Sequence, residues 1–413
     1  MLIKNTHLVK KINMCYYIFR VGEYMRPIKR AIRTFTDMDK VLFFTSLILI
    51  VFGSLNIVTA SSREAVVNAD ANMFYYFFKH VIILMISLIA FIVVLKIPTK
   101  DYKKWLPFIY IVVFCMNLFL ILKGVATRGA NNWINLGFMK IQPSELAKPT
   151  LILTMSLLFR KNYYKLKDVR EKHDMIIWQI IGFGLIFPAI VFLQKDLGTA
   201  IILFGIFAVM YIFSPITRPE KIKASLISIG AIAILLLVRL SISGYILSDA
   251  QASRLNNFFN PCSKYEDTGY QVCNAFIAIN NGGLTGVGLG KSTQKYSYIP
   301  EPHTDMVFAI IAEENGVLVC SLIFVAYLII IYRILKLSMI TRRMTHRYTC
   351  VGVATYFFLH ILINLGGLFG IIPLTGVPLP FLSYGGSFTL SLIATMAVIQ
   401  RIHIELKNEK IKV

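Results

Sequence analysis

The sequence predicts an all-α, polytopic membrane protein with about ten transmembrane helices and a long extracellular loop between helices 7 and 8. Of the 413 residues, 56% are hydrophobic and only 15% are charged, whereas soluble domains carry charge on about a quarter of their residues. Apolar runs of about 20 residues, each long enough to cross a hydrocarbon core of about 30 Å, recur along the chain. Lys and Arg residues cluster at every second loop.

The apolar runs give the spans in order. The fourth is short, and only residues 194–198 (QKDLG) separate the fifth from the sixth, so these boundaries are the least defined. No short apolar core followed by small residues opens the chain, and no cleavable signal peptide is predicted. The predicted spans are 39–60, 74–96, 104–123, 144–160, 175–194, 197–214, 223–247, 305–332, 348–373 and 382–400.

The positive charges predict the topology. Six segments contain 31 of the 43 Lys and Arg residues: 1–40, 96–104, 160–172, 218–223, 333–347 and 401–412. Positive charge on short loops marks the cytoplasmic side, so we expect both termini in the cytoplasm. The net charge of +22 therefore reflects topology, and no nucleic-acid binding is predicted. The chain divides into a basic N-terminal tail (1–38), a transmembrane domain (39–404) and a C-terminal tail (405–413).

This topology places two substantial loops outside, at 124–143 and 248–304, and loops of this length are usually functional. The second contains GVGLGKST at 286–293, which looks like a phosphate-binding loop. That motif needs a glycine five residues before the glycine of the Gly-Lys pair, and Thr285 stands there. We therefore interpret the stretch as a glycine-rich turn that allows close backbone packing.

Cys262 and Cys273 lie eleven positions apart in the long outer loop. Outside the membrane a disulfide is chemically permitted, so the pair predicts either a bridge or two free thiols. No Cys and His pattern completes a zinc site.

Several charged residues fall within or beside the spans, where charge is costly. Glu145 and Lys148 stand at i and i+3 and share one helix face, for which structural and functional roles are equally compatible. Asp196 follows the fifth span, and Glu313 and Glu314 lie about two turns into the eighth. For these we favour structural or secondary roles.

Asp305 differs from these residues because it lies at the predicted water interface, where the long outer loop enters the eighth span. The junction reads YIPEPHTDMVFAIIAEENG at 298–316 and places His303 and Glu301 close to Asp305. Membrane proteins rarely place a histidine and carboxylates here without a use for them. Asp305 is therefore the predicted functional carboxylate.

Motifs in the loops and C-terminal spans resemble the SEDS family (shape, elongation, division and sporulation), which includes FtsW and RodA. The resemblance runs almost end to end, and its most specific part is the C-terminal signature ending in VPLPFLSYGGS. The matching stretches are 130–148, 194–200, 254–261, 269–290, 300–316 and the signature Asn364, Gly370, Pro373, Gly376 and 377–387.

The chain departs from the family pattern at a few positions. Asn132 stands where an arginine commonly precedes the tryptophan of the first motif, and either Arg128 substitutes for that charge or the site tolerates its loss. Phe388 stands where a small residue usually follows SYGGS. The two outer-loop cysteines and the basic tail are not family hallmarks.

The resemblance implies an inverting peptidoglycan glycosyltransferase that polymerises lipid II at the outer face of the bacterial plasma membrane. It implies a class B penicillin-binding protein as transpeptidase partner, together with other division or elongation machinery. It carries the catalytic role to Asp305, which would deprotonate the 4-hydroxyl of the acceptor sugar. Residues 134–145 and 291–305 look closer to FtsW-like proteins, so we favour division over elongation or sporulation.

The same reaction indicates what else the site needs. Pyrophosphate is a good leaving group that needs charge neutralisation rather than a proton, so one base with cations suffices. The predicted binding set for substrate and pyrophosphate is Lys148, Glu145, Arg254, Trp133, Arg128, His303 and Lys291. For Trp133 two roles are predicted and left open: stacking on a sugar, or anchoring the chain at the membrane interface.

The remaining site predictions concern a metal ion and a serine. No dedicated metal cage is predicted, although a divalent cation such as Mg²⁺ or Mn²⁺ held by Asp305 or Glu145 and the pyrophosphate stays open. Ser383 is assigned a structural or secondary role, and the SYGGS glycines are expected to permit close helix contact.

Two other function classes compete. A lipid II flippase or other transporter should concentrate its polar groups at the midplane between repeated halves, and no internal repeat is found. A scaffold that only recruits the transpeptidase would not need the polar neighbourhood of Asp305.

Overall fold

The computed structural model describes most of the chain between residues 34 and 409. The predicted N-terminal tail lies almost entirely outside the described residues, as do Arg128 and Arg254. The described residues are 34–68, 72–123, 125–127, 130–135, 140–168, 174–243, 258–259, 261–262, 267–296, 299 and 301–409.

The fold is a bundle of long apolar helices, which confirms the predicted all-α membrane architecture. A 3₁₀ turn at Thr99–Asp101 precedes the third helix. The helices are α1 Lys40–Asn68, α2 Tyr75–Lys96, α3 Tyr102–Lys123, α4 Pro143–Lys161, α5 Tyr163–Lys167, α6 Asp174–Leu193, α7 Leu197–Ile212, α8 Arg218–Ser243, α9 Asp267–Gly282, α10 Val307–Ile340, α11 Met344–Leu368 and α12 Gly386–Asn408.

Within the part of the chain that the structure describes, seven helices are long and apolar enough to cross a membrane: α1, α2, α3, α6, α10, α11 and α12. The predicted fourth, sixth and seventh spans correspond to α4, α7 and α8. Of these, α7 is a shorter apolar helix, and α4 carries Glu145 and Lys148 within its apolar sequence. The chain is therefore a multi-pass membrane protein.

The inner helices of the bundle are α11 and α12, most of whose residues are buried. Helix α11 packs against α4, α7 and α10, while α12 packs against α2 and α4. By contrast, α2 buries few of its side chains and presents an apolar surface suited to lipid. The polar residues of α4 are thus enclosed by the protein.

The first and last described segments meet on one face of the bundle. Lys407 Nζ lies 3.0 Å from Asp37 Oδ1, and His403 Nδ1 lies 3.0 Å from the Asp37 carbonyl oxygen. Asp39 pairs with Arg333 at 2.7 Å. The two ends lie on the same face, and its assignment to the cytoplasm stays a prediction.

The two predicted outer loops contain regular structure that the sequence did not indicate. Within 124–143 an antiparallel sheet forms from β1 Val125–Thr127, β2 Ala130–Asn135 and β3 Lys140–Ile141. The long outer loop 248–304 contains the amphipathic helix α9. The eighth span is longer than predicted and is interrupted at Gly316, whose φ of 75° departs from helical geometry.

Candidate functional site

Asp305 occupies the turn that leads into α10, two residues before the helix begins at Val307. Its side chain is only 5% exposed. The Thr304 hydroxyl donates to Asp305 Oδ1 over 3.0 Å, and the Asn364 amide of α11 donates to the Asp305 backbone carbonyl over 2.7 Å. Asp305 is therefore fixed through its carboxylate by its own turn and through its backbone by one of the central helices.

The segment 376–378 of the C-terminal signature passes beside this carboxylate. Asn364 uses its amide a second time, donating over 2.8 Å to the Val377 carbonyl oxygen. Gly376 has a φ of +74°, and a Cβ there would lie 3.5 Å from Asp305 Oδ2. The glycine leaves space next to that oxygen, which a longer side chain would fill.

Lys148 and Glu145 form a buried ion pair in the first turns of α4. Lys148 Nζ lies 2.7 Å from Glu145 Oε1, and the two side chains are 0% and 2% exposed. Lys148 Nζ also lies 3.0 Å from His360 Nε2 of α11. The pair is thus fully enclosed, and the predicted contact of Lys148 with pyrophosphate requires this cluster to open.

His303 is packed among aromatic rings next to Asp305. Its ring centroid lies 4.4 Å from that of Tyr76 and 5.2 Å from that of Tyr384. Its Nδ1 is 3.2 Å from Glu64 Oε2, and its carbonyl oxygen accepts from the Tyr384 backbone N–H over 2.9 Å. Burial raises the pKa of Tyr384, in the loop before α12, to about 12, so this phenol stays protonated at neutral pH.

Asn132, which replaces the expected arginine, contacts Asp196. Its amide donates to Asp196 Oδ2 over 2.7 Å, and the Gln142 amide donates to the same oxygen over 2.9 Å. Asp196 Oδ1 accepts from the Thr199 backbone N–H over 3.1 Å and caps the start of α7. Neutral amides and a helix N-terminus therefore solvate Asp196.

The neighbouring Trp133 lies in β2 opposite Val125 and is partly buried. The choice between its sugar-stacking and anchoring roles stays open.

The adjacent carboxylates Glu313 and Glu314 bind the outer loop to α10. Glu313 accepts from the Ser292 hydroxyl, from the Thr293 hydroxyl over 3.0 Å and from neighbouring backbone N–H groups. The buried Lys295 Nζ lies 3.2 Å from Glu314 Oε1. Both carboxylates thus contact the outer loop, and their structural role stays a prediction. The nearby Lys291 is exposed on the outer loop.

The same loop completes the interruption of α10 at Gly316. At the break, several backbone groups have no helical partner. They form hydrogen bonds with residues 283–288 instead, so they are satisfied within an apolar environment. The bonds are Val287 N–H to Glu313 O at 2.9 Å, Gly288 N–H to Glu314 O at 3.0 Å, Val317 N–H to Gly283 O at 3.0 Å and Leu318 N–H to Leu284 O at 3.2 Å. The glycine-rich stretch is therefore a packing element.

Ser383 closes the turn before α12. Its hydroxyl accepts from the Leu379 backbone N–H over 2.8 Å. The structure also joins Cys262 to Cys273 by a disulfide with a Cα–Cα distance of 5.2 Å.

Across the described residues, no three His, Cys, Asp or Glu side chains converge to hold a metal ion. A cation at Asp305 or Glu145 would therefore need oxygen ligands from the substrate pyrophosphate, and it stays a prediction.

The structure adds residues that sequence reasoning did not select. His360 contacts Lys148 from an apolar stretch of α11, and a single histidine there gives no signal above that of a core residue. Glu64, near the end of α1, and Gln142, before α4, have partners that are distant in sequence. Only the fold identifies these partners.

Comparisons with known proteins agree with this architecture. The FtsW/RodA/SpoVE family model, described as "Cell cycle protein", matches residues 39–408. The probable peptidoglycan glycosyltransferase FtsW of Coxiella burnetii is 31% identical over 90% of this chain and 97% of its own length. The corresponding FtsW of Haemophilus influenzae is 30% identical over 89% and 90%. Stage V sporulation protein E of Bacillus subtilis is 29% identical over 87% and 95%.

Solved structures share the fold at 20% identity. A chain from a peptidoglycan synthase complex, described as coordinating polymerization and crosslinking, superposes with a TM-score of 0.68 over 89% of this chain and 97% of that chain. The rod shape determining protein RodA of Thermus thermophilus superposes with a TM-score of 0.62 over 89% and 96%. The chain belongs to the FtsW/RodA/SpoVE family of membrane proteins.

Proposed function

We propose that this chain is a peptidoglycan glycosyltransferase that polymerises lipid II into glycan strands at the outer face of the bacterial plasma membrane. Family membership and relatives named as probable peptidoglycan glycosyltransferases support this activity. The observation that carries the proposal is the position of Asp305. It is a carboxylate in the turn at the start of a transmembrane helix. Thr304 contacts its side chain, Asn364 binds its backbone carbonyl, and a glycine, Gly376, lies beside one of its oxygens.

In the proposed reaction Asp305 acts as general base. It takes the proton of the acceptor sugar 4-hydroxyl, and that oxygen attacks the anomeric carbon of the donor glycan. The bond between the anomeric carbon and the pyrophosphate oxygen breaks with inversion, and undecaprenyl pyrophosphate leaves with the bonding electrons. One base is enough because the pyrophosphate leaves without a proton.

Cations neutralise the charge that develops on the leaving group. Lys148, paired with Glu145, is one such cation if the enclosed cluster opens to substrate. Lys291 is exposed on the outer loop, and Arg128 and Arg254 complete the predicted set from outside the described residues.

The structural similarity to a chain of a peptidoglycan synthase complex supports a partner that crosslinks the product. We propose a class B penicillin-binding protein as this partner and cell division as the setting, with both termini cytoplasmic. The FtsW relatives favour division. Co-purification from dividing cells with a class B penicillin-binding protein of the division machinery, rather than with one of the elongation machinery, is the expected result.

The activity test uses the purified full-length chain with its transpeptidase in liposomes that contain lipid II in both leaflets. Long glycan strands on the outside are the expected product. Movement of lipid II between leaflets without polymer would instead favour the transporter. Asp305→Asn is the test variant. Asp101→Asn serves as its matched carboxylate control, because Asp101, on the 3₁₀ turn, pairs with the exposed Lys104 and is remote in sequence from Asp305.

A further inference from the structure

A buried histidine outside the predicted catalytic set lies against Lys148. His360 is 0% exposed, with its Nε2 3.0 Å from Lys148 Nζ and its Nδ1 3.1 Å from the Pro378 carbonyl oxygen. An ammonium group only donates and a carbonyl oxygen only accepts. Both contacts therefore require one neutral tautomer, with the proton on Nδ1 and the lone pair on Nε2.

The orientation of this imidazole is fixed by aromatic packing. Phe388 stacks on the ring with centroids 4.9 Å apart and an interplanar angle of 23°. Tyr356 meets it edge-on, with centroids 4.8 Å apart.

His360 also connects the Lys148 cluster to the segment beside Asp305. Pro378, whose carbonyl oxygen accepts the hydrogen bond from His360 Nδ1, directly follows Val377. Asn364 binds the Val377 carbonyl oxygen at 2.8 Å and the Asp305 carbonyl oxygen at 2.7 Å. A displacement of the imidazole would therefore move both the Lys148 ammonium and the chain that lines the Asp305 carboxylate.

We propose that His360 is a positioning residue for glycosyl transfer, which holds the Lys148 ammonium in position relative to Asp305 through the Pro378 carbonyl and keeps this contact when the Glu145 side of the cluster opens to pyrophosphate. The inference rests on the proposed function. Because charge on the leaving pyrophosphate develops in the transition state, a misplaced Lys148 lowers kcat more than it raises KM.

Two substitutions at this position separate positioning from packing. His360→Gln keeps an oxygen that accepts from Lys148, while His360→Leu fills a similar volume without an acceptor. The matched control is His346→Leu, because His346 is also buried in α11 but lies fourteen residues away, about 21 Å along the helix. Its partners are Thr99 and Glu405, which belong to no part of the proposed site.

The measurements are steady-state lipid II polymerisation and the thermal unfolding midpoint of each full-length variant. We expect His360→Leu to lower kcat about 10²-fold with KM nearly unchanged, His360→Gln to restore most of kcat, and His346→Leu to shift only the unfolding midpoint.

Equal losses of kcat in the two His360 variants would overturn the positioning role while the proposed function stands. The same holds if the loss of kcat in every variant, including His346→Leu, simply follows the loss in unfolding midpoint. Absence of polymer from wild type would overturn the proposed function and this inference with it.

Discussion

Gly286 provides a direct test of how the outer loop is attached to α10. Its φ is +81°, and a Cβ at this position would lie 2.3 Å from the Glu314 carbonyl oxygen and 2.6 Å from the carbonyl carbon. Both atoms belong to backbone, so no side-chain rotation relieves the overlap. Gly286→Ala must therefore separate the loop from the helix break.

The expected loss in the free energy of unfolding combines the backbone strain at residue 286 with the hydrogen bonds that the separation breaks. A non-glycine residue in the left-handed region costs about 1–2 kcal/mol. The bonds from Val287 N–H to Glu313 O and from Gly288 N–H to Glu314 O contribute about 0.5–1.5 kcal/mol each. The expected loss is about 2–5 kcal/mol in the free energy of unfolding. Gly290→Ala is the control, because Gly290 has a φ of +75° but nothing within 4 Å of its Cβ position.

The assay is thermal unfolding in one detergent, combined with protease cleavage of the outer loop. We expect Gly286→Ala to unfold at a clearly lower temperature than Gly290→Ala and to expose the loop to cleavage. Equal unfolding midpoints for the two variants would refute the docking of the loop at the helix break.

Three further predictions concern individual contacts. Asn132→Ala removes one amide donor from Asp196 and should lower the free energy of unfolding by about 1–3 kcal/mol, whereas Asn132→Arg should recover stability in the same thermal assay. Lys148→Met leaves the Glu145 carboxylate buried without its cation and should destabilise by about 3–5 kcal/mol; a change below that of Asn132→Ala would contradict the buried pair. Cys273→Ser should lower stability by about 2–3 kcal/mol, and mass mapping of the wild-type loop with and without reductant would reveal whether the bridge forms in the protein.

Hydrophobicity and charge predict much of this fold because a bilayer demands long apolar helices. The predicted span 348–373 is one example, since it corresponds to α11 at Met344–Leu368, whose sequence is mostly apolar and contains no proline. The sheet at 125–141 and the helix α9 did not follow from the sequence. The short strands carry little periodicity and are stabilised by pairing partners such as Trp133 with Val125, which the folded chain brings together. Helix α9 is amphipathic, a pattern that was not used when 248–304 was interpreted as one loop.

The candidate site also combines features that the sequence predicts with features that depend on tertiary structure. The position of Asp305 was predictable because a carboxylate at the end of an outer loop stands out against an apolar span, and the family resemblance agreed. The break at Gly316 was not predicted, although Glu313, Glu314 and Asn315 directly precede it, because the cost of the break is offset by hydrogen bonds from a loop about thirty residues earlier. His360 was missed because a neutral histidine in a helix core has no distinctive sequence pattern.

The most direct test of the central claim is the initial rate of lipid II polymerisation by Asp305→Asn relative to wild type. This substitution preserves the shape of the side chain and its contact with Thr304 while removing the base. The account predicts a rate about 10²–10⁴-fold lower, with an unchanged unfolding midpoint and an unchanged rate in Asp101→Asn. A rate for Asp305→Asn within a few-fold of wild type would contradict it.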